Sequence, residues 1–200
     1  MGRPALRRGD VLVLVDVQED FVSGSLAVPD GAGVIGPLNA CVAAFHEAGL
    51  VVVATRDWHP ATHQSFREQG GPWPAHCVAH TPGAAFARGL KLPEGTWLVS
   101  KATRPAREAY SGFEGTDLDA RLKRLGARRL FVGGLATDYC VLRTVLDARS
   151  RGYETFVLTD AIRAVDAKPG DGDAAEDEMI RAGARFTTTA EVLGEEAFDA

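Results

Sequence analysis

Short apolar runs alternate with amphipathic stretches along this chain. The runs are rich in Val and Leu and do not alternate with polar residues, which is typical of strands buried on both faces. We therefore predict six strands, at residues 11–15, 50–54, 96–99, 130–132, 155–158 and, more weakly, 184–187. The amphipathic stretches predict helices at residues 33–48, 117–125, 138–151 and 173–182, each followed closely by a Gly that signals a helix end.

This alternation predicts an α/β fold of three layers, α/β/α, in which helices cover both faces of a six-stranded parallel sheet. No repeat or linker divides the sequence, so we expect a single domain over residues 1–200. One connection departs from the pattern: residues 56–95 show no clear helical period and are rich in Pro. They hold four of the five His, and so long a connection in a compact domain is usually functional.

The composition excludes several functional classes. The chain has 200 residues, 46% of them apolar and 24% charged, which is enough for a folded domain with a sizeable core. The net charge of -5 leaves no basic footprint for nucleic acid, and no apolar run approaches the ~20 residues of a membrane span. The three Cys are widely spaced, which favours a reducing, cytoplasmic location over a disulfide framework.

Two charged residues follow predicted strands. Asp16 comes directly after the first strand, and Lys101 comes two residues after the third. Ligands of open parallel sheets bind outside the carboxyl ends of the strands, so both residues are candidates for a site. Asp16 would serve equally well as a helix cap, and a lone Lys is normally a surface residue. However, this chain contains only four Lys against eighteen Arg, which sets Lys101 apart.

Cys140 lies near the start of a predicted helix, just after the pair Gly133-Gly134. Unpaired N–H groups and the helix dipole favour a thiolate at such a position, and the same N–H groups could bind an oxyanion. We therefore predict a nucleophile here. The alternative is a structural Cys on the inner face of the helix, which is our prediction for Cys41. No Gly-x-Gly-x-x-Gly turn follows the first strand, which argues against a dinucleotide-binding dehydrogenase.

The His-rich connection contains a set of residues that suits a divalent transition metal. Asp57 and His59 are two positions apart and His76 follows at a distance. Carboxylate and neutral imidazole are ligands for Zn, Fe or Mn, and three protein ligands leave positions open for water and substrate. His46 and His80 are predicted to be bystanders.

Five segments of the chain carry a family resemblance. They are VDVQEDF (15–21), DWHPATH (57–63), WPAHC (73–77), AYSGFEG (109–115) and GLATDYCV (134–141). Together, and in this order, they resemble the nicotinamidase (pyrazinamidase) branch of the isochorismatase-like cysteine hydrolases, from about residue 10 to residue 193. The resemblance implies strand order 3-2-1-4-5-6, with the first and fourth strands adjacent at the switch point of the sheet.

The resemblance also implies the catalytic residues. It places a triad on Asp16, Lys101 and Cys140, and an oxyanion hole on the N–H groups of Ala136 and Cys140. It further implies a cis peptide bond between Leu135 and Ala136, although neither residue is Pro.

A metal centre and a ring pocket follow from the same resemblance. The implied ligands are Asp57, His59 and His76, with His63 a direct or water-bridged ligand in some relatives only. Zinc is the first choice for the ion, and iron or manganese also fit. The residues implied to line the pocket are Phe21, Leu26, Trp73, Tyr110 and Tyr139. Tyr139 stands where several relatives have His, so the match to the family pattern is less complete in the pocket than in the triad.

The function implied is hydrolysis of nicotinamide to nicotinate and ammonia, as in NAD salvage, with pyrazinamide as a second substrate. Relatives that act on isochorismate or carbamoyl compounds generally lack the Asp-x-His…His set, so its presence here favours nicotinamide. The alternatives are another small-amide hydrolase of the family and a non-catalytic binding protein that keeps the fold. Relatives occur as monomers and as larger assemblies, which leaves a homo-oligomer open.

Overall fold

The computed structural model describes residues 6–194 and contains one six-stranded parallel sheet. The strand order is β3-β2-β1-β4-β5-β6, which confirms the order implied by the resemblance. The strands are β1 (Asp10–Val15), β2 (Val51–Asp57), β3 (Trp97–Lys101), β4 (Arg129–Leu135), β5 (Glu154–Arg163) and β6 (Arg185–Thr187).

Helices cover both faces of the sheet and form the two outer layers of the fold. They are α1 (Glu19–Val22), α2 (Ile35–Glu47), α3 (Leu118–Leu125), α4 (Leu142–Ser150), α5 (Asp171–Arg181) and α6 (Thr189–Leu193). Side chains of β1 alternate between the two sides: Leu12 and Leu14 pack with α2, whereas Val11 and Val13 pack with α3, α4 and α5. The central strand is therefore buried on both faces, as its uninterrupted apolar run predicts.

Four strands extend further than the apolar runs indicate, and the longest extension is that of β5, which continues to Arg163. Strand β2 continues to Asp57 and β3 to Lys101, and these two residues are paired in the parallel ladder. Strand β4 runs through its Gly pair to Leu135. A Cβ on Gly134 would collide with the backbone of Val15, so the absence of a side chain lets β4 approach β1 at this level. The hydrogen-bonded strands thus extend beyond the apolar runs, and the added residues place polar side chains at the carboxyl edge of the sheet.

Long connections follow β1, β2 and β3 at this edge of the sheet. The connection from β2 to β3 contains only two short 3-10 turns, Arg67–Gln69 and Pro82–Ala84, in agreement with its lack of helical period. No helix among residues 6–194 is long and apolar enough to cross a bilayer.

Candidate active site

Lys101 is the centre of a buried cluster at the carboxyl edge of the sheet. Its Nζ lies 2.9 Å from Asp16 Oδ2 and 2.5 Å from Asp57 Oδ1. The same ammonium donates a hydrogen bond to the carbonyl of Ala109 at 3.0 Å, and it lies 3.5 Å from the Sγ of Cys140. The structure therefore brings the three residues of the implied triad together. It adds Asp57 as a second carboxylate on Lys101, a contact that the sequence analysis missed.

Two neighbours that the sequence did not single out hold Asp16 and Asp57 in place, one through the Asp16 carboxylate and the other through the Asp57 backbone. The hydroxyl of Thr55, which interrupts the apolar run of β2, donates to Asp16 Oδ1 at 2.7 Å. The Gln18 side chain accepts from the backbone N–H of Asp57 at 2.7 Å and donates to its carbonyl at 2.8 Å. Because Gln18 is fully buried, this pair of bonds ties the end of β2 to the chain that leaves β1.

Cys140 sits in the turn that follows β4. A cis peptide bond joins Leu135 to Ala136, as the resemblance implies, and a π-helical turn then spans Thr137–Val141. This turn leads directly into α4 and leaves Cys140 5% exposed. A carboxylate oxygen of Asp16 and the Cys140 sulfur lie within 4.8 Å of each other, so the acid is close enough to receive the thiol proton.

Burial and charge decide the protonation states in this cluster. Burial raises the pKa of the Cys140 thiol well above its usual range, against the opposing effect of Lys101. Burial also raises the pKa of Asp16. Burial alone would lower the pKa of Lys101, but the carboxylates of Asp16 and Asp57 outweigh it and raise that pKa. Cys140 therefore has an ammonium neighbour in Lys101 that favours its thiolate, whereas burial opposes ionisation of the thiol.

The side chains of Asp57, His59 and His76 form a cluster suited to a metal ion. One ligand atom from each lies within 4.8 Å of the other two, and all three residues are buried. Neither ring nitrogen of His59 has a hydrogen-bond partner, which is costly for a buried imidazole unless it binds a metal. The Nδ1 of His76 faces the carbonyl of Pro74 at 2.8 Å, which leaves its Nε2 for coordination. The residues present therefore fit a divalent transition metal.

His63 does not share this geometry. Its Nδ1 lies 2.7 Å from the Ser65 hydroxyl and its Nε2 lies 3.1 Å from the carbonyl of Arg107. Both ring nitrogens are thus engaged, and the ring packs against that of His59 with a centroid separation of 4.2 Å. His63 therefore packs against a metal-ligand candidate but is absent from the cluster of three ligands. His80 is exposed and packs against Trp58.

An apolar pocket opens above the Cys140 sulfur, beside the metal cluster. All five residues implied by the resemblance line it, namely Phe21, Leu26, Trp73, Tyr110 and Tyr139. The indole N–H of Trp73 donates to the Tyr110 hydroxyl at 3.2 Å, and the Trp73 ring meets that of Tyr139 at 5.3 Å. Val28 and Val165 also line the pocket. Neither could be predicted from the sequence, because Val in a loop carries no signal of its own.

The comparisons with known proteins concern almost the whole chain. Residues 10–191 match the isochorismatase domain family. A nicotinamidase of Escherichia coli (strain K12) is 38% identical over 202 residues, which cover 90% of this chain and 95% of that protein.

Two solved structures have the same fold at substantial identity. The pyrazinamidase of Pyrococcus horikoshii in complex with zinc superposes with a TM-score of 0.86 at 48% identity, over 90% of this chain and 99% of that one. PnC1 from L. infantum in complex with nicotinate superposes with a TM-score of 0.88 at 34% identity, over 96% and 98%. The match in sequence, fold and extent shows that this chain belongs to the isochorismatase family.

Proposed function

We propose that this protein is a nicotinamidase, an amidohydrolase that converts nicotinamide to nicotinate and ammonia. The observation that carries the proposal is the meeting of Cys140, Lys101 and Asp16 at the base of an aromatic pocket. The relatives support the substrate, since the E. coli protein is a nicotinamidase and the L. infantum structure holds nicotinate. The reaction would serve NAD salvage, and the cytoplasmic location predicted from the few Cys suits an enzyme whose thiol must stay reduced.

The first half of the reaction uses all three central residues. Asp16 accepts the proton of the Cys140 thiol as the sulfur attacks the carboxamide carbon of nicotinamide. Lys101 stays an ammonium and stabilises the negative charge that develops on the sulfur. The backbone N–H groups of Ala136 and Cys140 bind the oxyanion of the tetrahedral intermediate. Asp16 then returns the proton to the leaving nitrogen, ammonia departs, and a thioester remains on Cys140.

The second half of the reaction releases the acid. Asp16 takes a proton from a water molecule, whose oxygen attacks the thioester carbon. The same oxyanion hole holds the second tetrahedral intermediate. Collapse of that intermediate breaks the carbon–sulfur bond, and the Cys140 sulfur recovers its proton from Asp16. The product leaves as nicotinic acid, whose carboxyl proton passes to solvent to give nicotinate, and every group of the enzyme has returned to its starting state.

Asp57, His59 and His76 would hold the metal ion, with zinc the ion we propose first and iron or manganese as alternatives. When bound, the ion would supply a Lewis-acid position for the pyridine nitrogen of the substrate. The aromatic residues orient the ring from the other sides: Trp73 and Phe21 face it, which fixes the amide over the sulfur. Asp57 couples the two parts of the site, because its carboxylate contacts Lys101 and faces His59 at 3.6 Å.

A panel of substrates tests the proposal against its alternative, another small-amide hydrolase of the family. Purified protein loaded with zinc is assayed for ammonia release from nicotinamide, pyrazinamide, benzamide and an N-carbamoyl amide. We expect kcat/KM for nicotinamide and pyrazinamide to exceed that for the carbamoyl compound by at least about 100-fold. Benzamide has the ring and the amide but no ring nitrogen, so it should also be poor. A preference for the carbamoyl compound would establish the alternative.

A further inference from the structure

The loop between β5 and α5 forms part of the pocket wall. The loop spans residues 164–170, and an acidic stretch that begins in it, residues 166–178, continues into α5. Val165, just before that stretch, lines the pocket together with Tyr139 and Cys140. Nothing in the catalytic steps above explains how this loop is held beside the pocket.

A single carboxylate joins the loop to the turn that carries Cys140. Asp138 lies two residues before Cys140 in the π-helical turn. Its Oδ1 accepts a hydrogen bond from the backbone N–H of Val165, and its Oδ2 accepts one from that of Asp166, both at 2.9 Å. Only a side chain with two acceptor oxygens on one carbon can bind two successive amides in this way. These two bonds therefore hold the loop at Val165, the residue that lines the pocket.

The rest of the loop is stabilised by hydrogen bonds between its own residues and the start of α5. Oδ1 of Asp166 accepts from the backbone N–H of Gly172 at 2.8 Å, and Oδ2 of Asp171 accepts from that of Lys168 at 2.9 Å. A Cβ on Gly172 would come within 2.7 Å of the Ala164 side chain, so the loop packs tightly on the start of α5. Since the loop holds its own shape, loss of the Asp138 contacts would shift it as a unit.

We propose that Asp138 is a positioning residue that latches the loop 164–170 to the turn bearing Cys140 and so sets the position of Val165 against the substrate ring. Asp138 itself does not line the pocket among the described residues. Its effect on the reaction passes through Val165, whose backbone it binds and whose side chain faces the ring. The inference rests on the proposed function, because it assigns the substrate ring to this pocket.

The test compares Asp138→Ala with a matched control, Asp160→Ala. Asp160 is also half-buried and also binds a backbone amide, that of Thr189 at 2.9 Å, but at the start of α6 and away from the pocket. For Asp138→Ala we expect KM for nicotinamide to rise about tenfold with kcat changed less than about threefold. Hydrogen exchange at the amides of Val165 and Asp166 should become faster. Asp160→Ala should leave KM and those two amides unchanged.

A double-mutant cycle decides whether the effect passes through Val165. Val165→Ala keeps the backbone N–H that Asp138 binds but removes the side-chain wall, so Asp138→Ala should raise KM much less in that background. If Asp138→Ala does not fold, Asp138→Asn, which keeps one acceptor oxygen, should still raise KM above that of the wild type.

Three results would overturn the inference: an unchanged KM, a fall in kcat alone, or strictly additive effects in the cycle. Each presupposes wild-type turnover of nicotinamide. Absence of that turnover would instead count against the proposed function, and the exchange rates of the two amides would still report on the latch.

Discussion

Replacement of Cys140 by Ala is expected to lower kcat for nicotinamide by at least about 10⁴-fold, because no other group in the pocket can form the thioester. We propose the Cys140 sulfur as the nucleophile, and without it Asp16 has no thiol to deprotonate and Lys101 has no developing thiolate to stabilise. The substitution removes one atom from a buried side chain, so fold and metal content should persist. Ammonia release, measured on protein of verified metal content, gives the comparison.

The matched control for this substitution is Cys41→Ala. Cys41 is also buried, but it packs in α2 within the core on one face of the sheet, away from the pocket. Its replacement should cost some stability and leave kcat unchanged. Substantial turnover by the Cys140→Ala protein would show that the nucleophile is assigned wrongly.

Replacement of His59 by Ala should weaken metal binding by at least about 100-fold and raise KM for nicotinamide steeply. Both nitrogens of this buried ring lack hydrogen-bond partners, so removal of the ring costs the fold no hydrogen bond. The backbone of His59 keeps its bonds to Cys77 and Ala79. Elemental analysis after dialysis measures the bound metal, and a chelator applied to the wild type should reproduce the loss until zinc is added back.

His80→Ala serves as the control for the metal prediction. This ring is exposed and packs on Trp58, outside the ligand cluster. The His80→Ala protein should retain a full complement of metal and normal activity. A His59→Ala protein with wild-type metal content would contradict the ligand assignment.

The reactive residues at the carboxyl edge of the sheet could be predicted because they come directly after apolar runs that are visible in the sequence. Asp16 comes immediately after such a run, and a parallel sheet gathers strand ends at one edge. The second role of Asp57 could not be predicted in this way. It depends on the ladder register, which pairs Asp57 with Lys101, and register is not visible in two short apolar runs.

Burial and loop contacts account for what the sequence analysis missed. Burial raises the pKa of the Cys140 thiol, an effect that a helix start in the sequence does not reveal. His63 lies within the same motif as His59, yet Ser65 and the Arg107 carbonyl occupy its nitrogens. The Arg107 carbonyl lies 44 positions from His63 in the chain, so spacing within the motif does not reveal that contact.

The central claim is that nicotinamide is hydrolysed through a thioester on Cys140, and interception by hydroxylamine tests it most directly. Hydroxylamine competes with water for the thioester carbon and releases nicotinohydroxamate together with the free thiol. The assay follows both products from nicotinamide at rising hydroxylamine concentration, with nicotinate and the Cys140→Ala protein as blanks. We predict that hydroxamate replaces nicotinate progressively while ammonia release is not slowed. Steady consumption of nicotinamide with nicotinate as the sole product would contradict the thioester.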